Sequence, residues 1–138
     1  MEYCGQTWDP VYSGDTIKME KVQNRFTKLL RHGRVMTPAE RNEALGITDH
    51  KTRRMRGDLI YMFKLMHNEN LFTIASDGRT RGHSRRLRTN ISRNNLRKHS
   101  FTERNVALWN SLPDNVVNSE SLNIFKNKLD EYLSATLG

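Results

Sequence analysis

The chain has 138 residues, 36% hydrophobic and 28% charged, with a formal net charge of +8 and a mean hydropathy of −0.78. That length suits one domain with a modest core, and the polar balance stops short of a disordered composition, so a folded part and a poorly packed part are expected. The single cysteine, Cys4, excludes an intramolecular disulfide, residues 1–10 lack the apolar centre of a signal peptide, and no apolar run suits a membrane span, so the expected setting is intracellular, in nucleus or cytoplasm, neither secreted nor membrane-bound.

The opening residues, with Glu2, Tyr3, Cys4 and Trp8, are aromatic but aperiodic, and Asp9-Pro10 and Ser13-Gly14-Asp15 mark a break and a turn. A first helix is predicted from about Asp15 to His32. Met19, Val22, Phe26, Leu29 and Leu30 recur at steps of three and four, and Lys18, Lys21, Arg25, Lys28 and Arg31 flank them. Gly33 suits the cap that ends it. Thr37, Pro38 and Glu40 spell a capping box for a short second helix that stops at Gly46.

Thr48 is expected to cap a third helix reaching about His67, with Met55, Leu59, Met62, Phe63 and Met66 as its apolar stripe and Ile60 beside it. Lys51, Arg53, Arg54 and Arg56 occupy its other faces, and Gly57 inside it costs about 1 kcal/mol relative to alanine. From about Asn70 to His99 the helical period disappears. Leu87, Thr89 and Ile91 alternate with polar residues and Asn94-Asn95 marks a turn, which fits either a weak hairpin or a loop ordered on binding.

Ser100 and Glu103 form a second capping box, and Phe101, Val106, Trp109 and Leu112 make the apolar face of a helix that Pro113 ends. After a turn at Asp114-Asn115, Val116 and Val117 are expected inside. A last helix starting at Ser119 or Ser121 carries Leu122, Phe125, Leu129, Tyr132 and Leu133 at helical spacing. The predicted architecture is mainly α: a small bundle of about five helices with an irregular, arginine-rich insertion. The segments are 1–68, 69–99 and 100–138, within one compact unit. The apolar stripes are read as core, with Trp8 and Trp109 as core anchors.

Catalytic and metal chemistry is not legible. Gly78 and Gly82 fit no phosphate-binding fingerprint. His32, His50, His67, His83 and His99 are scattered and are read as surface or half-buried, and Cys4 is alone. The adjacent acids Asp130 and Glu131 point in different directions on a helix and are read as solvated. Cys4 has no neighbouring cation to activate it. No catalytic residue, metal or cofactor is therefore expected.

Charge placement is the one signal above background. Arg79, Arg81, Arg85, Arg86, Arg88, Arg93, Arg97 and Lys98 fall in one stretch without a single acid; of the 23 Lys and Arg residues, the fifteen that remain equal the fifteen Asp and Glu. A concentrated excess points to a polyanionic partner, and arginine's planar fork suits phosphate. The plain alternative is a loop kept solvated by its charge. Lys21, Arg25 and Lys28 form a second, smaller candidate group.

Several stretches resemble reverse transcriptases of non-LTR retrotransposons, the jockey-like and related elements. Glu2-Tyr3-Cys4 with Trp8 and Pro10 is similar to their "LEYC…W.P". Met19 to Arg25 is similar to "LE.VQ.R", Arg53 to Ile60 to "RR.RGDLI", and Arg79 to Ser84 to "RTRGH". Trp109 to Pro113, with Ser121-Leu122, Phe125-Lys126 and Leu129-Asp130, is similar to "WNSLP…SL..FK..LD". The motifs come in family order over nearly the whole chain.

The resemblance implies the helical thumb and the segment beyond it, which contact the template–primer duplex through its backbone. The family's catalytic aspartates lie upstream in a Tyr-x-Asp-Asp motif that this sequence lacks. The implied function is that of a non-catalytic C-terminal fragment of an RNA-directed DNA polymerase. Met1 stands where the family has an interior leucine, in keeping with a piece of a longer protein. The implied partners are RNA or an RNA–DNA hybrid, held largely without sequence preference, and the palm domain. The alternatives are a protein-interaction module docked on that palm, or a decayed reading frame.

Overall fold

A computed structural model describes residues 13–30, 35–68, 74, 82–88 and 100–137. Helix accounts for 73% of the described residues. In chain order the helices are α1 (Ser13–Thr27), α2 (Pro38–Ala44), α3 (His50–Asn68), α4 (Phe101–Ser111), α5 (Asp114–Val117) and α6 (Leu122–Leu137). The chain is thus mainly α, as its periodicity predicts.

The core forms where the apolar stripes of α3, α4 and α6 meet. Leu59, Met62 and Phe63 of α3 pack with Val106 and Trp109 of α4 and with Phe125, Leu129 and Leu133 of α6. Leu112 and the α5 residues Val116 and Val117 close one end, and Leu87 enters from the segment before α4. Phe63 stacks on Phe125 with centroids 4.2 Å apart, and Trp109 lies 6.1 Å from Phe125. Each such side chain contributes roughly 1.5–3 kcal/mol when fully buried. The helix at 50–68 therefore shares its core with the helices of 101–137.

Two ion pairs tie the same helices. Arg104 of α4 reaches Asp58 of α3 at 3.0 Å, where Asn105 also donates to the carboxylate at 3.2 Å. Arg56 of α3 holds Asp130 of α6 through Nε at 2.5 Å and Nη2 at 2.8 Å. Asp130 is therefore a partner in a two-pronged pair, though its side chain stays about half exposed, as expected of a surface charge.

The helix ends correct several expectations. The Thr37 box forms, with Thr37 N–H donating to Glu40 at 2.6 Å, and this bond holds the Glu40 carboxyl below its ordinary value. Gly46, at φ 60°, closes α2 by a Schellman turn in which Ile47 N–H reaches Asn42 C=O at 2.8 Å. Asp49, not Thr48, caps α3: its carboxylate accepts Thr52 N–H at 3.0 Å. Burial raises that carboxyl, but the bonds from Thr52 together with the backbone N–H groups of Asp49 and Lys51 outweigh it and leave it below its usual value. Ser100 makes no side-chain cap bond and instead lies 3.3 Å from the Thr102 hydroxyl. Ser121, not Ser119, opens α6, accepting Ile124 N–H at 3.3 Å. Residues 114–117, read as a turn running into buried valines, form the short helix α5. His50 and His83 are buried, against the surface or half-buried reading, His67 is exposed, and His32 and His99 lie outside the described residues.

The largest departure is α1. It ends at Thr27, short of His32, and Leu29 and Leu30 continue it only as a turn. Val22, Phe26 and Leu29 are 55%, 64% and 74% exposed. The reason lies on the adjoining side of the helix. There Gln23 accepts from Arg53 of α3 and faces Asn42 of α2 at 3.5 Å, and the Thr27 hydroxyl accepts from buried Arg41 at 3.2 Å. Arg41 also donates to the Met36 carbonyl. Polar contacts seat α1, so its apolar row turns outward. Gly33 and Trp8 lie outside the described residues.

Two measurements check this packing. A Cβ on Gly57 would meet no atom within 4 Å, so Gly57→Ala is expected to raise the unfolding free energy by about 1 kcal/mol in denaturant titration. Hydrogen bonds from Arg56 hold the Asp130 carboxyl below its ordinary value, against burial and with charge attraction assisting. A depressed folded-state pKa stabilises above the unfolded value of about 3.9 and is lost as pH falls through the folded value. The two side chains are 39% and 48% exposed, so solvent screening limits the pair to less than about 1 kcal/mol. Asp130→Asn should cost that amount near neutral pH, and the difference from the parent should vanish in strong acid.

Candidate nucleic-acid interface

The arginine-rich stretch enters the structure as a strap, residues 82–88, laid across α4 and α5. Its attachment uses ring, amide and backbone groups. The His83 ring nitrogen Nε2 lies 3.0 Å from the Trp109 carbonyl. A nitrogen facing a carbonyl carries the proton, so Nδ1 is the acceptor, and it is buried without a hydrogen-bond partner. Ser84 N–H donates to the Asp114 carboxylate at 3.3 Å. The Trp109 indole N–H donates to the Arg85 carbonyl at 3.0 Å.

The firmest anchor is Asn110. Its side-chain oxygen accepts Leu87 N–H at 2.9 Å, and its amide nitrogen donates to Leu87 C=O at 2.9 Å. One side-chain amide thus satisfies both backbone groups of a buried residue. Leu87 also pairs antiparallel with Ile74. This bridge lies inside the 70–99 stretch for which a weak hairpin is one of the two readings, while Thr89, Ile91, Asn94 and Asn95 lie outside the described residues. At the start of the strap Gly82 has φ 146°, and a Cβ there would sit 2.5 Å from Arg86 Cδ. The turn therefore requires glycine.

The strap carries three of the eight candidate cations. Arg85 is half-buried, with Nη1 3.2 Å from His67 Nε2. The guanidinium can only donate, so that histidine nitrogen accepts, and His67 Nδ1 donates to the Phe63 carbonyl at 3.1 Å. Arg86 is half-buried and folds back over Gly82; Arg88 is exposed. Arg79, Arg81, Arg93, Arg97 and Lys98 lie outside the described residues. Lys21, Arg25 and Lys28 are exposed on a different element, α1 and the turn after it, and carry no ion pair among the described residues. The three described cations of the stretch and the trio therefore sit on different elements.

Sequence reasoning missed the clamp at Trp109-Asn110 and the cluster of Asp58, Arg104 and Asn105. Asp58 gave a usable signal: a carboxylate set between Met55 and Met62 on a core-facing helix needs a partner. Among the described residues no group of three or more His, Cys, Asp or Glu side chains is placed to hold a metal ion. Among the same residues no helix is long and apolar enough to cross a membrane. No family model, curated protein or solved structure matches the chain.

The clamp has a direct readout. Asn110→Leu should leave Leu87 N–H and C=O buried without partners, at a cost of about 1–3 kcal/mol. In hydrogen exchange the Leu87 amide is expected to lose its protection while the α6 amides keep theirs; unchanged protection at Leu87 would show that the amide does not hold the strap.

Proposed function

We propose that the chain is a non-catalytic nucleic-acid-holding module, the C-terminal part of a retroelement RNA-directed DNA polymerase. Its arginine-rich stretch grips an RNA or RNA–DNA hybrid backbone. One observation carries the reading: residues 79–98 hold eight cations and no acid, and the described strap is fastened chiefly through its backbone groups and His83. The bonds that pin residues 83–87 come from His83, Ser84 N–H, the Arg85 carbonyl and the two backbone groups of Leu87. The Arg85 guanidinium adds a contact to the His67 ring at 3.2 Å, and Arg88 is exposed. The resemblance of five motifs to the retrotransposon enzymes supports the same reading. Contacts to phosphate position a duplex without reading its sequence, so the binding is largely sequence-independent. Catalysis has no place in the proposal.

The test is a fluorescence-anisotropy titration of a mixed-sequence RNA–DNA hybrid at several salt concentrations. The parent chain runs beside a version with residues 79, 81, 85, 86, 88, 93, 97 and 98 changed to Gln. If all eight meet phosphates, log K should fall with log salt at a slope approaching about −7 for a duplex and about −6 for a single strand. The Gln version should bind far more weakly and lose most of that slope. Equal affinity for the two, with equal thermal stability, removes the proposal.

A further inference from the structure

We infer that the outward side of α1 is a docking surface for an acidic amphipathic helix of a protein partner. The surface is distinct from the arginine stretch, and the inference does not rest on the nucleic-acid reading. The sequence of α1 and the turn that continues it sets three dyads in a row: Lys21-Val22, Arg25-Phe26 and Lys28-Leu29. Steps of three and four keep like members of the dyads on one side of a helix. A cationic row and an apolar row therefore run next to each other.

Both rows face outward. Val22, Phe26 and Leu29 are all more than half exposed, and Lys21, Arg25 and Lys28 are exposed and without ion pairs among the described residues. None of the six contributes to the core. Val22 and Phe26 share with Ile47 of the α2–α3 turn a groove whose other wall is Gln23, Thr27, His50 and Arg53. It gives the apolar side chains of a partner somewhere to go.

The two rows together restrict the occupant. A phosphate backbone would meet the cations and leave Phe26 and Val22 in water. A purely apolar partner would bury three cations without counter-charges, which is costly. A second copy of this chain would bring another set of cations to the same place, on a molecule already at +8, and like charges facing each other suppress such pairing. A helix with apolar anchors at the same three- and four-residue steps and carboxylates alongside meets both rows at once.

The test uses the full chain and two labelled synthetic amphipathic helices of equal length, one built of Leu and Glu and the other of Leu and Lys. The Leu–Glu helix should bind at least about tenfold tighter than the Leu–Lys helix. Phe26→Ser should weaken it about tenfold or more, as should the triple change Lys21→Gln, Arg25→Gln, Lys28→Gln. Because these positions are exposed, circular dichroism should stay unchanged. The Gln version of residues 79–98 should bind the Leu–Glu helix like the parent, which separates this inference from the nucleic-acid proposal. No binding of the Leu–Glu helix, equal binding of both helices, or indifference to Phe26→Ser overturns it. A dimer in sedimentation that Phe26→Ser abolishes, or loss of hybrid binding in the triple variant without any helix binding, assigns the surface to another occupant and also overturns it.

Discussion

Trp109 joins the two halves of this structure. Its ring is fully buried against Phe125 in the helical core, while its indole N–H and its carbonyl both reach outward to the strap. An indole contributes a large apolar surface and one obligatory donor. Here the donor is met by the Arg85 carbonyl, so the core residue that holds α4 in place also fixes the position of Arg85. The neighbouring Asn110 extends the same logic by one residue. Packing and display are therefore not separate problems in this fold: α3 and α6 fix α4, and α4 fixes the strap.

The helices of the core were legible because their burial follows one period. Met62, Phe63, Trp109, Phe125 and Leu129 each fell on a stripe that the spacing alone identifies, and each is buried. The stripe of α1 has the same spacing and the opposite fate. Periodicity says that a helix has two sides; it does not say which side finds neighbours. Gln23 and Thr27 found them, through Arg53 and Arg41, and those contacts span 30 and 14 residues of chain. Capping shows the same limit. Thr37 with Glu40 and Ser100 with Glu103 carry the same pattern, yet only the first pair closes its box, since the Ser100 hydroxyl lies against Thr102.

The candidate interface was legible as a charge excess and illegible as a shape. The eight cations and the absence of acids can be counted in the sequence. What could not be counted is the attachment of the strap, because its bonds join a side-chain amide or an indole to backbone more than twenty residues away. Asn110 in particular offers no sequence signal, since an asparagine late in a helix is ordinarily a surface residue.

The way Asn110 holds Leu87 has one more consequence. An extended stretch of chain with open N–H and C=O groups is a template on which other chains can add as strands, and proteins commonly blunt such templates. Leu87 is extended and apolar, the kind of residue at which stacking into fibrils starts. With both of its main-chain groups occupied by a single amide at 2.9 Å, that residue offers an incoming strand nothing to pair with. The cap that steadies the arginines thus also guards the molecule against self-templated aggregation.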